Sequence, residues 1–202
     1  KKLKCPYFKW AICALSLGLL IFIFPPLYGE GYGAIQHFLD GRMPEFAVAS
    51  PLGFMLEKKL LIPVFFLLII VAKVFSMTFT NAGGGVGGTF GPTLFVGGIA
   101  GFVVARTINL IFIASPFSVP EANFVLVGMA GLMAGVMQAP MTAIFLIAEI
   151  SGGYELLIPL IITASISYGI SHSIDPYSIY TKRIAKRGEL LTQDSDQDVL
   201  TL

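Results

Sequence analysis

Apolar residues gather along this chain in long runs of unequal length. Residues 60–80 and 93–113 each hold an apolar run of full spanning length, since a membrane crossing takes about 20 helical residues. Residues 10–24 form a shorter run stopped by Pro25-Pro26, because proline lacks a backbone donor and disfavours helix in the residue before it. Residues 122–137 and Pro140–Ile150 are also short, are parted by Gln138-Ala139-Pro140, and are each too short to cross alone. Residues 156–170 predict a further apolar helix. Between these runs, residues 29–39 read as a glycine-opened, weakly amphipathic re-entrant helix, residues 40–51 as a polar loop, and residues 115–121 as a loop with two prolines. Residues 176–187 predict an amphipathic helix with a basic end.

The pattern predicts an all-α integral membrane fold of broken and re-entrant helices. Long, short and interrupted helices in one bundle are the arrangement of transporters with sites near the membrane midplane, whereas anchors show uniform spans. No repeat is evident within the chain, so an inverted partner segment is expected outside it. Composition agrees: 55% of the 202 residues are hydrophobic and 12% charged, with a mean hydropathy of +0.82, where soluble domains carry about 25% charged residues. Lys1-Lys2-Leu3-Lys4 before an apolar run imitates a secretory leader, but Pro25-Pro26 stands where a small-residue cleavage site belongs. We read the first nine residues as a basic membrane-flanking loop, and the chain as part of something longer.

A net charge of +1 without a basic, aromatic-interleaved patch gives no nucleic-acid partner. Cys5 and Cys13, with His37 and His172, have no metal-ligand spacing, so neither metal nor cofactor is expected. Lys182, Arg183, Lys186 and Arg187 favour a cytoplasmic C-terminal end.

The segment Asn81-Ala-Gly-Gly-Gly-Val-Gly-Gly-Thr-Phe-Gly-Pro92 breaks the chain between its two longest apolar runs. Bare backbone is costly in lipid, so such a break persists only against protein or a watery cavity. Pro92 suits a first helical turn, which leaves the N–H groups of Thr89 and Phe90 without intrahelical partners. A dehydrated anion can accept both bonds, helped by the positive end of the helix. Glycines at 83, 84, 85, 87 and 88 let the backbone fold tightly around it. The same glycines serve equally well as a packing surface for a neighbouring helix, and the sequence leaves both uses open.

The run GGGVGGTFGPTLFVGGIAG resembles the G-x-F-x-P signature of the CLC chloride channel and chloride/proton antiporter family. The later run GMAGLMAGVMQAPMTAIFLIAEISGGYELLIPLIITASISYGIS resembles the family's following helices in order and length, and Ser178-Ile-Tyr-Thr-Lys-Arg183 its last membrane helix. The likeness runs from about Trp10 to Gly188. It implies that residues 1–188 are the C-terminal half of the family's inverted-repeat membrane domain, and 189–202 a polar linker toward a cytosolic domain. It also implies a transported chloride held by the N–H groups of Thr89 and Phe90 and by a tyrosine hydroxyl. That tyrosine is placed at Tyr180, with Tyr177 as the competitor. Gly85, Gly87, Gly88 and Gly91 would form the anion loop and Pro92 the helix start. A homodimer in a bacterial inner membrane, joined through residues 140–150 and 156–170, is implied as well.

The sequence departs from the family in places. The serine-bearing G-S-G-I-P and the glutamate-bearing G-R-E-G-P segments of the first half are not in these residues, and Thr89 and Gly91 stand where apolar residues or alanine are commoner. Channel and proton-coupled exchanger are therefore not separable from the sequence. Among charges in apolar runs, Glu149 is expected to bond neighbouring backbone donors. Lys73 is expected to form an ion pair or to snorkel, with added positive potential for an anion path as the alternative, and Arg106 is expected to snorkel. A nucleotide loop is excluded because Phe90-Gly91-Pro92 replaces the Gly-Lys-Ser/Thr ending, and no nucleophile–base set suggests an enzyme. A non-transporting membrane scaffold that uses the glycines for packing is the competing reading.

Overall fold

The computed structural model describes residues 6–42, 50–112 and 118–182. Among these residues the chain is wholly helical: α1 (Pro6–Ile23), a single 3-10 turn at Pro25–Leu27, α2 (Tyr32–Leu39), α3 (Phe54–Glu57), α4 (Ile62–Ala82), α5 (Phe90–Ile111), α6 (Glu121–Met137), α7 (Pro140–Ile150) and α8 (Leu157–Ile174). By length and composition α4, α5 and α8 can each cross a membrane. The remaining helices are shorter, as the broken apolar runs predict.

Several expected boundaries move for local reasons. α5 begins at Phe90 rather than at residue 93, because its first turn accommodates Pro92. α8 extends beyond residue 170 to Ile174, carried by Ser171 and Ser173 hydroxyls that find carbonyl partners. One unexpected turn, α3, follows Gly53 and closes with the Leu56 N–H on the Gly53 carbonyl. Of the amphipathic helix expected over residues 176–187, residues 176–180 are not helical and the part from 183 lies outside the described residues. The Ser178 hydroxyl accepts the Thr181 N–H at 3.2 Å and the Ser178 carbonyl accepts the Lys182 N–H at 2.9 Å, so Ser178 closes this turn. Residues 183–202, including the polar linker, lie outside the described residues, as do residues 43–49 of the polar loop and 113–117.

α6 is the centre of the bundle, packed on α2, α5, α7 and α8, and runs antiparallel to α5. A Cβ added at Gly101 would stand 1.9 Å from the Phe124 carbonyl oxygen, and one at Gly97 would stand 2.6 Å from the Gly128 oxygen. The two backbones therefore touch, and only glycine permits it. α8 lies along the other side of α6 in parallel, with the Ser167 and Ser171 hydroxyls donating to the Gly131 and Gly135 carbonyls at 2.6 Å each. Beneath α5, Phe38, Phe66 and Phe102 form a triangle with ring centroids 4.5–5.2 Å apart. That geometry suits aromatic rings and tucks α2 into the core. At the far end of α5, Arg106 pairs with Glu121 at 2.9 Å across to α6, instead of snorkelling.

Candidate functional site

α4 ends in a left-handed glycine stop. Gly84 has φ +92°, the Gly84 N–H bonds the Asn81 carbonyl, and the Gly85 N–H bonds the Thr80 carbonyl at 2.9 Å. A Cβ on Gly85 would lie 2.8 Å from the Thr80 methyl, so its smallness serves the helix stop. Gly87 and Gly88 continue as exposed backbone lining a cavity of about 260 Å³, together with Lys73, Ser76, Asn81 and Glu30. Gly91 is inside α5 and packs against the Glu30 side chain. Of the glycines in the segment, 83, 84, 85 and 91 thus have packing or turn duties, 87 has room for ordinary contact with Asn81, and 88 faces open space.

The start of α5 carries no side-chain cap. Thr89 occupies the cap position, with Phe90, Gly91 and Pro92 following as the first turn. A threonine there normally bonds an N–H two or three residues on. Pro92 has no N–H to give, and the Thr89 hydroxyl turns outward instead. It meets the Tyr180 hydroxyl at 3.3 Å. The first intrahelical bond runs from the Thr93 N–H to the Thr89 carbonyl at 3.0 Å, reinforced by the Thr93 hydroxyl at 2.7 Å. The helix start is therefore well formed, and the donors at its tip have no side-chain partner among the described residues. Tyr180 is half exposed, one turn past Asp175. Tyr177 lies apart, on the groove between α6 and α8.

The two intramembrane charges behave differently from expectation. Lys73 neither pairs with a carboxylate nor snorkels. It is 5% exposed, and its ammonium donates to the carbonyls of Leu27 at 3.4 Å and Gly29 at 2.9 Å while resting 4.7 Å from the Phe95 ring centre. It pins the strap between α1 and α2 over the first turns of α5. Glu149 is exposed, and its backbone carbonyl, not its carboxylate, accepts from the Gly152 N–H. Close to the strap, partial burial and then the Glu30 charge raise the Tyr32 phenol above its ordinary value of 10.0.

Sequence reasoning missed Gln138, which it treated as a spacer between α6 and α7. Its backbone is left-handed, with φ 54° and ψ 39°, and its amide donates to the Asp175 carbonyl at 2.6 Å. Only the proline two residues on hinted at a special backbone there.

An all-helical bundle with three helices of spanning length among the described residues defines a polytopic membrane protein, and its α5 starts without a side-chain cap beside a tyrosine hydroxyl. Residues 1–172 match the family described as voltage gated chloride channel, and the chain belongs to that family. A voltage-gated ClC-type chloride channel, ClcB, from Escherichia coli strain SMS-3-5 is 32% identical over 186 residues, covering 90% of this chain and 38% of the relative. Its counterpart from strain 55989 is 31% identical over 186 residues, with the same coverage. The chain thus spans about 38% of the length of the curated relatives it matches.

Proposed function

We propose that this chain supplies one wall of a transmembrane pathway for chloride or a similar small anion. In this reading the N–H groups at the start of α5, on Thr89 and Phe90, and the hydroxyl of Tyr180 hold the ion. The observation that carries it is the uncapped start of α5, with the Tyr180 hydroxyl 3.3 Å from the Thr89 hydroxyl at its tip. Two hydroxyls at that separation make a long, weak bond, one that an anion accepting from both readily replaces. Neutral donors select an anion without trapping it, because no full charge has to be broken from it on release. The chemistry is reversible binding, with no covalent step and no cofactor.

The apolar outer faces of α7 and α8 fit this setting. Phe145, Ile158, Ile162 and Ile166 are exposed there, which suits lipid or a second subunit. A homodimer through residues 140–150 and 156–170, in a bacterial inner membrane with the basic C-terminal end in the cytoplasm, completes the proposal.

The test removes one N–H and nothing else. Replacing Phe90 by its α-hydroxy acid turns that amide into an ester. Phe90→Pro deletes the same donor but is the poorer probe, because proline disfavours the helical ψ of −15° found at Thr89. Titration of the full-length protein with chloride should give affinity about tenfold weaker for the ester. Equal affinity would reject the helix start as the ion's ligand and leave the glycines a packing role in a scaffold.

A further inference from the structure

The seam between α6 and α8 ends on the residue that the sequence marks as a break. Ser167 and Ser171 donate from α8 to the Gly131 and Gly135 carbonyls. The next rung reverses direction: the Gln138 amide, just past α6, donates to the Asp175 carbonyl at the end of α8. All three bonds measure 2.6 Å. Among the described residues Gln138 is the one non-glycine with positive φ. Such a conformation persists where its surroundings hold it, and it gathers at functional positions.

Asp175 is the root of the turn that carries Tyr180. Its own N–H closes α8 on the Ser171 carbonyl, its carboxylate pairs with Lys182, and it accepts the Tyr177 N–H. The Lys182 N–H in turn reaches the Ser178 carbonyl at 2.9 Å. Tyr180 is enclosed in this loop, so its place follows that of Asp175. α6 is also the helix whose backbone touches α5 at Gly97 and Gly101. One helix therefore locates both the tip of α5 and the turn that presents Tyr180.

We infer that Gln138 is a positioning residue for the Tyr180 hydroxyl: its amide indexes the Asp175–Lys182 turn against α6 and so sets the separation between Tyr180 and the start of α5. This rests on the reading of Thr89, Phe90 and Tyr180 as an anion wall. A packing residue alone would lower stability without caring whether Tyr180 keeps its hydroxyl, whereas a positioning residue acts through that hydroxyl.

The experiment is a double-mutant cycle on the full-length protein, with chloride affinity read by titration calorimetry. Q138G keeps the left-handed backbone and deletes the amide. Q138G and Y180F should each weaken chloride binding by about tenfold, and the double variant should bind no more weakly than Y180F alone. Wild-type affinity in Q138G beside a weakened Y180F would overturn the inference and leave the anion wall standing, as would losses that add in full. Wild-type affinity in Y180F would overturn the anion reading and this inference with it. If Q138G does not assemble, Q138N replaces it in the cycle. Asparagine tolerates the same backbone and falls one methylene short of Asp175, so unchanged affinity there counts against the inference in the same way.

Discussion

Thr89 and Tyr180, 91 residues apart in the chain, meet hydroxyl to hydroxyl at 3.3 Å. The contact follows from a vacancy. Pro92 withholds one of the two N–H groups a threonine cap can take, and the helical backbone of Thr89 (φ −85°, ψ −15°) is not the extended one from which a cap reaches the other, so its side chain leaves its own helix. Tyr180 is therefore expected to matter for anion binding and Tyr177 is not. Tyr180→Phe should weaken chloride binding by about tenfold, the scale of one hydrogen bond to a charged group. Tyr177→Phe should leave it unchanged. Halide titration of both variants checks this, and the reverse ranking would transfer the role to Tyr177.

The α5–α6 crossing should tolerate no side chain at its centre. A Cβ at Gly101 would fall 1.9 Å from a carbonyl oxygen, and that atom belongs to backbone that cannot swing aside. Gly101→Ala is expected to cost about 3 kcal/mol, and Gly33→Ala, where nothing lies within 4 Å, to cost little by crowding. Thermal unfolding in detergent separates the two.

Lys73 is expected to act on the strap rather than on the ion. Lys73→Met removes the donor to the Leu27 and Gly29 carbonyls and should destabilise the fold by roughly 1–3 kcal/mol. Limited proteolysis near Tyr28 should accelerate, while the chloride-to-bromide selectivity ratio stays fixed. A changed ratio would place Lys73 in the ion's electrostatic field instead.

Alkaline pH should destabilise the fold through the Tyr32 phenol. Its pKa is raised in the folded protein, so the folded state holds that proton more tightly than the unfolded chain does. The associated stability is complete below the unfolded value, about 10, and is lost as pH rises through the folded value. Tyr32→Phe should therefore lose less stability than the wild type over that alkaline window, measured as the melting temperature against pH.

Much of this architecture was legible because apolar run length is a direct reading of membrane depth. α4, α5, α6 and α7 fall where their runs lie, and the prolines at 25, 92 and 140 mark real stops and starts. What escaped was set by partners far away in the chain. Lys73 binds carbonyls 44 and 46 residues distant, and a backbone carbonyl has no residue-specific signature. Gln138 owes its role to a left-handed backbone that no sequence rule assigns to glutamine, and Arg106 to a glutamate 15 residues on. Helix was expected from Pro176 because a proline there looks like a helix start, whereas residues 176–180 form a turn in which the Ser178 hydroxyl takes the Thr181 N–H.

The bare-backbone crossing of α5 and α6 also bears on motion. Where side chains interdigitate, two helices can slide by exchanging rotamers. Gly97, Gly101 and Gly128 leave no rotamers to exchange, so the pair is expected to move as one rigid body. In the proposed pathway the Asp175–Lys182 turn, tied to α6 through Gln138, then keeps its spacing from the start of α5.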